Sequence, residues 1–345
     1  MSEAAAIATP AAMPAGGALL EVENLRVRYP MMGVVRAAMT HQRSRFLDAV
    51  LDVSFSLKAG TTLALVGESG SGKSSLGRAI IGLVPVHSGR VRFMGQDPLK
   101  GGVRRDYHRD VSMMFQDPVS SLSPRRSVQS LITEPFIVHG LSRRDLEAEA
   151  KRLLALVGLP KDFASRYPHQ LSGGQARRVG VARAVALLPK LIIADEPTAG
   201  LDVSVQGEIL NLLTRLQREL GLSYLIITHN LAVVRHVSDE TAIMYMGRFV
   251  EQGPTAEIFA RAVHPYTVGL LAAQPKPDPD ARRDYVALMG EVPSLARRPS
   301  GCEFHPRCAR AQDICRREVP PAFSLAARHS HRCYFPVTAG RSESG

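Results

Sequence analysis

The stretch GESGSGKS, residues 67–74, constrains this chain more than any other eight residues. It fits G-x-x-x-x-G-K-[ST] and follows TTLALV, a short run apolar enough for a strand covered on both faces. SSLGRAIIGL then continues as a helix. A glycine-rich turn between a buried strand and a helix directs backbone N–H groups at phosphate oxygens, with no Cβ in the way. The helix N-terminus adds its partial positive charge. Gly67, Ser69, Gly70, Gly72 and Ser75 belong to this cradle, Lys73 reaches the β- and γ-phosphates, and the Ser74 hydroxyl is a ligand for Mg²⁺.

The rest of the chain supplies the sheet that such a loop needs. LEVENLRVRY, from Leu20 to Tyr29, alternates as an edge strand does. Residues 30–48 are basic and irregular, a loop insertion. KLIIAD, SYLIIT, TAIMYM and RFVEQG add strands, and VQGEILNLLTRLQREL adds a crossover helix. Alternating strands and helices predict an α/β core around a parallel sheet. Between about residues 117 and 182 the pattern changes to helices. Leu146, Ala150, Leu153, Leu154 and Val157 fall on one helical face there. From His264 the chain turns rich in Pro and Arg, and AAQPKPDPDARR reads as a linker to a cysteine-bearing tail. The expected organisation is a disordered lead-in over 1–19, a nucleotide-binding domain over 20–263 and an extension over 264–345.

Three further strand ends carry chemistry. LIIADE closes in two acids: Asp195 is placed to hold Mg²⁺ and Glu196 to orient or deprotonate an attacking water. Two acids at a strand end also cap a following helix, so the cradle is what favours the catalytic reading. His229, ending LIITHN, shares the rim where parallel strands present their C-terminal ends, within reach of a γ-phosphate. Gln116 in MMFQDP follows another such run, and its amide oxygen can approach Mg²⁺ or the attacking water. Tyr29 stacks on an adenine or is a plain edge-strand aromatic.

A second loop, LSGGQARRVGVARA at 171–184, again sets glycines after a serine ahead of a helix. One chain thus has two anion-seeking loops and one Lys/Mg²⁺ set, so a dimer uses everything.

The net charge of +11 suits polyanionic partners or serves solubility. No apolar run approaches the roughly 18–20 residues of a spanning helix, and the N-terminus lacks the basic and apolar regions of a signal peptide. The expected location is the cytoplasm. Cys302, Cys308, Cys315 and Cys333 are separated by five, six and seventeen residues, unlike the paired spacing of most zinc ribbons. Four thiolates can still encircle an iron–sulfur cluster. Zinc, with His305 or His331, and uncoordinated thiols stay open.

The motifs together resemble the ATPase subunits of ABC transporters. GESGSGKS, FQDP, LSGGQ, LIIADEP, AGLD and ITH occur in that family's order, over about residues 20–275. The resemblance implies an α/β P-loop NTPase core with a parallel sheet, antiparallel edge strands and a helical subdomain, plus a small cysteine-bearing extension, and ATP and Mg²⁺ as its ligands. It also implies a head-to-tail pair, identical or paralogous, in which Ser172, Gly173, Gly174 and Gln175 clamp the γ-phosphate held by the other subunit. Asp202 would lie at the seam.

HPYTVGLL and the tail GCEFHPRC…ICRREVPP are similar to the oligopeptide/dipeptide importer branch. AGLD replaces that branch's commoner SALD, and LSGGQARR its frequent SGGQRQR. The likeness implies an ATPase at the cytoplasmic face of the cell membrane, beneath two permeases and served indirectly by a periplasmic or extracellular solute-binding protein. Nickel, glutathione and other small peptide-like cargo are not separated by this sequence. Similar tails are associated with a [4Fe–4S] cluster. The rival reading is a soluble ABC ATPase acting on ribosomes or DNA, which the single cassette and the lack of a heptad run disfavour; no nucleic-acid partner is expected. A non-catalytic subunit is disfavoured by Glu196 and His229.

Overall fold

Eleven strands are described: β1 (Ala18–Pro30), β2 (Phe46–Lys58), β3 (Thr62–Val66), β4 (Ser88–Phe93), β5 (Val111–Met114), β6 (Leu191–Asp195), β7 (Ser223–Thr228), β8 (Glu240–Tyr245), β9 (Arg248–Pro254), β10 (Phe323–Ala326) and β11 (His329–His331). They come from a computed structural model that describes residues 17–31, 46–101, 104–117, 121–141, 145–274, 288 and 290–337. Most of the lead-in, the basic insertion and the Pro-rich linker expected from the sequence lie outside those residues.

β1 pairs antiparallel with β2 and β4 in a three-stranded sheet. The other eight strands form one sheet in the order β10-β11-β9-β8-β3-β7-β6-β5. β8, β3, β7, β6 and β5 run parallel, and β9, β11 and β10 continue antiparallel. Every residue of β3, β6 and β7 is buried, as the unbroken apolar runs require of strands covered on both faces. The helix Lys73–Ile80 packs Leu76, Ala79 and Ile80 into a core shared with the antiparallel sheet. The helix Val203–Leu220 buries Ile209, Leu210, Leu212, Leu213 and Leu216, and Gly221 in the left-handed region ends it.

The helices Val128–Val138, Leu146–Leu156 and Gly173–Val185 share a core with that long helix. Ser127 and Asp145 cap the first two by accepting from backbone N–H groups of the first turn. Ala150, Leu153, Leu154 and Val157 are fully buried, as their spacing predicts, and Leu146 at the start of that face is only partly buried. Among the described residues no helix is long and apolar enough to cross a membrane.

The cysteine-bearing segment joins the same sheet. β11 pairs with β9, setting Ser330 against Gln252 and His331 against Glu251. The Glu251 carboxylate is buried there and accepts from Val263 N–H at 2.9 Å, His264 N–H at 2.9 Å and His329 Nε2 at 2.8 Å. A buried charge with three donors is compensated, so this joint is built to stay closed.

Candidate functional site

Parallel strands bring their C-terminal ends to one rim, and here β3 ends at the glycine-rich loop, β6 at Asp195 and β7 at Thr228. Gly67, Ser69, Gly70 and Gly72 form the loop, and Gly72 precedes the helix Lys73–Ile80. Lys73 Nζ donates to Gly67 O at 2.7 Å, Glu68 O at 2.9 Å and Ser71 Oγ at 3.2 Å. Burial lowers the Lys73 pKa, and the nearby Glu196, Asp195 and Glu68 carboxylates work against that shift. A desolvated ammonium ringed by carbonyls gains from a phosphate oxygen, because a full negative charge replaces a dipole.

Ser74 Oγ donates to Asp195 Oδ1 at 3.0 Å. Asp195 is 2% exposed, and its pKa is raised by burial, with the Ser74 bond opposing. A hydroxyl and a buried carboxylate side by side are two hard oxygen donors, the donor set that suits Mg²⁺. Ser75 accepts a hydrogen bond from Tyr29 OH at 3.1 Å, so the first strand's aromatic stands against the start of the same helix.

Glu196 follows β6 with φ 50°, in the left-handed region that non-glycine residues occupy at a cost of roughly 1–3 kcal/mol. Its N–H donates to Ile227 O at 2.8 Å, its Oε1 lies 2.7 Å from His229 Nδ1, and Thr228 Oγ1 reaches Oε2 at 3.4 Å. The two candidate catalytic side chains therefore form one pair. Since the carboxylate can only accept, Nδ1 carries the proton, and Nε2 is the nitrogen that faces other chemistry.

No described hydrogen bond joins the Gln116 side chain to this cluster, though the strand it follows, β5, pairs with β6. The side chain is exposed, and the described contact is to the Gln116 backbone: Arg177 Nη1 donates to Gln116 O at 3.1 Å. A second Arg177 nitrogen, Nη2, donates to Ala199 O at 3.0 Å, in the AGLD turn. Arg177 is 1% exposed, on the helix that opens with the second glycine loop. One cation thus ties three motif segments together, and the motif reading missed it. Its signal was available: Arg177 shares a helical face with the buried Val181 and Ala184, a core position that a charge enters only when held. Arg177→Ala is expected to lower stability by about 3 kcal/mol or more, because two charge-assisted bonds vanish and two carbonyls lose their donor. Denaturant unfolding checks this, and a variant as stable as its parent removes Arg177 from the role.

Ser172 and Gln175 satisfy each other as a capping box. Ser172 Oγ accepts from Gln175 N–H at 3.3 Å, and Gln175 Oε1 accepts from Ser172 N–H at 3.0 Å. Ser172 and Gly173 are exposed and Gly174 is partly buried, so the helix start faces outward. Asp202 is exposed too and caps the helix Val203–Leu220, accepting from Val205 N–H at 3.0 Å. Among the described residues none of these five hydrogen-bonds the 67–75 loop.

Cys302, Cys308, Cys315 and Cys333 line one cavity, together with His264 and His305, and all four are free thiols. Burial pushes Cys302 up to about 12 and Cys333 up to about 11, and raises Cys308. Among the described residues no group of three or more His, Cys, Asp or Glu is arranged to hold a metal ion. The thiols converge without forming a ligand set.

Residues 50–199 match the ABC transporter family, and residues 250–315 match the oligopeptide/dipeptide transporter C-terminal region. The chain is 48% identical to the probable peptide ABC transporter ATP-binding protein y4tS of Sinorhizobium fredii, over 93% of this chain and 91% of that protein. It is 42% identical to the oligopeptide transport ATP-binding protein AppF of Bacillus subtilis, over 92% and 97%. Among solved structures it resembles cbiO1 of Clostridium perfringens, part of the transporter complex cbiONQ, with TM-score 0.60, 29% identity and coverage of 70% of this chain and 91% of that one. It also resembles the ATP-binding cassette MJ0796, a dimer in a post-hydrolysis state with ADP and Pi, with TM-score 0.57, 28% identity and coverage of 68% and 98%. Motif order, rim geometry and these likenesses agree: the chain belongs to the ABC transporter ATP-binding family, in the branch that carries the oligopeptide/dipeptide transporter C-terminal region.

Proposed function

We propose that this ATPase energises an importer of oligopeptides, dipeptides or related peptide-like solutes, as a peripheral subunit at the cytoplasmic face of the cell membrane. The observation that carries the reading is the presence of a full nucleotide rim and the oligopeptide/dipeptide transporter C-terminal region in one chain. Relatives named for peptide transport span more than nine-tenths of it. The subunit works as one of a head-to-tail pair, identical or paralogous, beneath two permeases that a solute-binding protein supplies.

Lys73 holds the β- and γ-phosphates, and N–H groups of the 67–75 loop other than those of Glu68 and Ser71 orient them. Ser74 and Asp195, with the Gln116 amide, would hold Mg²⁺, which when bound would neutralise charge on the phosphoryl oxygens. Glu196 accepts a proton from water as the water oxygen bonds to the γ-phosphorus. The bond from that phosphorus to the bridging oxygen breaks, and ADP leaves with the electron pair. His229 orients Glu196 through Nδ1–H and stands on the rim beside the γ-phosphate. Tyr29 lies beside the base. Ser172, Gly173, Gly174, Gln175 and Asp202 serve the nucleotide of the opposite subunit; their outward-facing caps support that use.

The test is affinity purification of the tagged chain with ATP from detergent-solubilised membranes. Two permease subunits and an ATPase partner are expected; ribosomal or DNA-bound companions without a membrane protein would overturn the importer and favour a soluble ATPase.

The four-thiol cavity supports a second, separate reading, that its cysteines take up a [4Fe–4S] cluster on moving together. Anaerobic purification with iron and sulfide analysis tests it: bound zinc, or protein that is colourless and free of iron, counts against it.

A further inference from the structure

The second residue of the phosphate loop is an acid. Glu68 sits where the loop gathers donors for a polyanion, and a bare carboxylate there would repel the phosphates and compete for Lys73. Its charge is met from the far end of the chain. Arg307, 239 residues away, donates from Nη1 to Glu68 Oε2 at 2.7 Å and from Nη2 to Oε1 at 3.1 Å. This is a two-pronged fork, the strongest geometry for a guanidinium and a carboxylate. The Arg307 side chain is only 5% exposed. It stands beside the Tyr245 and Phe304 rings, on the short turn His305–Arg307 between Cys302 and Cys308. A second contact comes from the same region of the chain: Glu68 N–H donates to Tyr266 OH at 3.0 Å. The Glu68 carbonyl meanwhile accepts from Lys73. Side chain, N–H and carbonyl of one loop residue are all fixed, two of them from beyond residue 263.

We propose that Arg307 is a positioning residue for ATP: it neutralises Glu68 and holds that carboxylate away from the phosphates, so the cysteine-bearing segment sets the affinity of the loop. The inference rests on the ATP-binding role of that loop. It makes the nucleotide site incomplete in residues 50–199 alone, since both anchors lie in or beside the C-terminal region.

The experiment compares ATP affinity and turnover in the full-length chain carrying Glu68→Gln, Glu68→Asp, Arg307→Ala or Arg307→Ala with Glu68→Gln. Both Glu68 variants disrupt the fork: Gln keeps one acceptor oxygen but no charge, and Asp keeps a carboxylate too short to reach Arg307 with both oxygens. Glu68→Asp and Arg307→Ala are each expected to raise the ATP KM about tenfold, with kcat changed about twofold at most. Glu68→Gln is expected to lower KM, because the carboxylate that repels the phosphates is gone while the Arg307 charge remains. Added to Arg307→Ala, it should bring KM back toward the parental value.

A role confined to packing the tail predicts the reverse pattern: Gln and Asp alike in effect, and no recovery in the double variant. Either result overturns the proposal, and the Gln-against-Asp comparison decides it even if Arg307→Ala fails to fold. An unaltered chain that does not bind ATP sinks the function above together with this inference; equal KM in all variants sinks this inference alone.

Discussion

Glu196→Gln lowers ATP turnover by about 10²–10⁴-fold while ATP still binds, the loss expected when a general base disappears from an otherwise intact site. The substitution isolates basicity from geometry. A glutamine can set its one oxygen where Oε1 now accepts from His229 Nδ1 at 2.7 Å, and its NH2 can donate to Thr228 Oγ1 where Oε2 now accepts. The backbone at φ 50° is as strained for Gln as for Glu. Folding stability should therefore change little, and the loss should fall on the chemical step. In the proposed head-to-tail pair, stopping hydrolysis removes the step that reopens the ATP-bound form. Dimer should accumulate with ATP and not with ADP, in size-exclusion chromatography or light scattering. The arithmetic is a population shift: several kcal/mol of preference for the closed pair converts a minor species into the dominant one. Undiminished turnover in this variant would refute the assignment of Glu196 as the base.

What the sequence makes legible follows from how local each feature is. The 67–74 loop is contiguous, and its function depends on backbone shape, so its residues announce it. The rim acids and His229 are legible one step further out, because a parallel sheet brings separate strand ends together by topology. The Glu196–His229 bond spans 33 residues and still belongs to that logic, since both residues end neighbouring strands.

Ser172 and Gln175 show where local reading divides. Their spacing is that of a capping box, which the structure contains, while a role toward a second subunit enters only through the family resemblance. Arg177 was half legible: its helical position marks a buried charge, but neither carbonyl it binds can be found from sequence. Arg307 was not legible at all. It is one of 43 Lys and Arg residues, and only the folded chain brings it to Glu68. The cysteines were legible as a group sharing one place, but not in their mutual arrangement, which depends on turns whose geometry spacing does not fix.

Two glycines of the phosphate loop separate shape from mere flexibility, and substituting each with alanine should give unequal results. Gly70 and Gly72 both lie in the left-handed region, with φ 78° and 103°. A Cβ at Gly70 meets nothing within 4 Å, so Gly70→Ala bears only a backbone cost, about 1 kcal/mol, or roughly tenfold at most in ATP affinity. A Cβ at Gly72 would be driven into the Ala49 carbonyl oxygen and lie 3.2 Å from Met244 Cε. A side chain can rotate away from such a contact, but the backbone of a paired strand cannot. The loop must shift instead, and with it the first turn of the helix that carries Lys73 and Ser74. About 3 kcal/mol or more is at stake, so Gly72→Ala should weaken ATP binding by at least about 100-fold. Titration with a fluorescent ATP analogue reads both variants directly. Equal losses would mean that conformational freedom alone matters in this loop. A large gap, with Gly72→Ala the worse, would mean that the cradle is held in shape by the wall of the antiparallel sheet behind it.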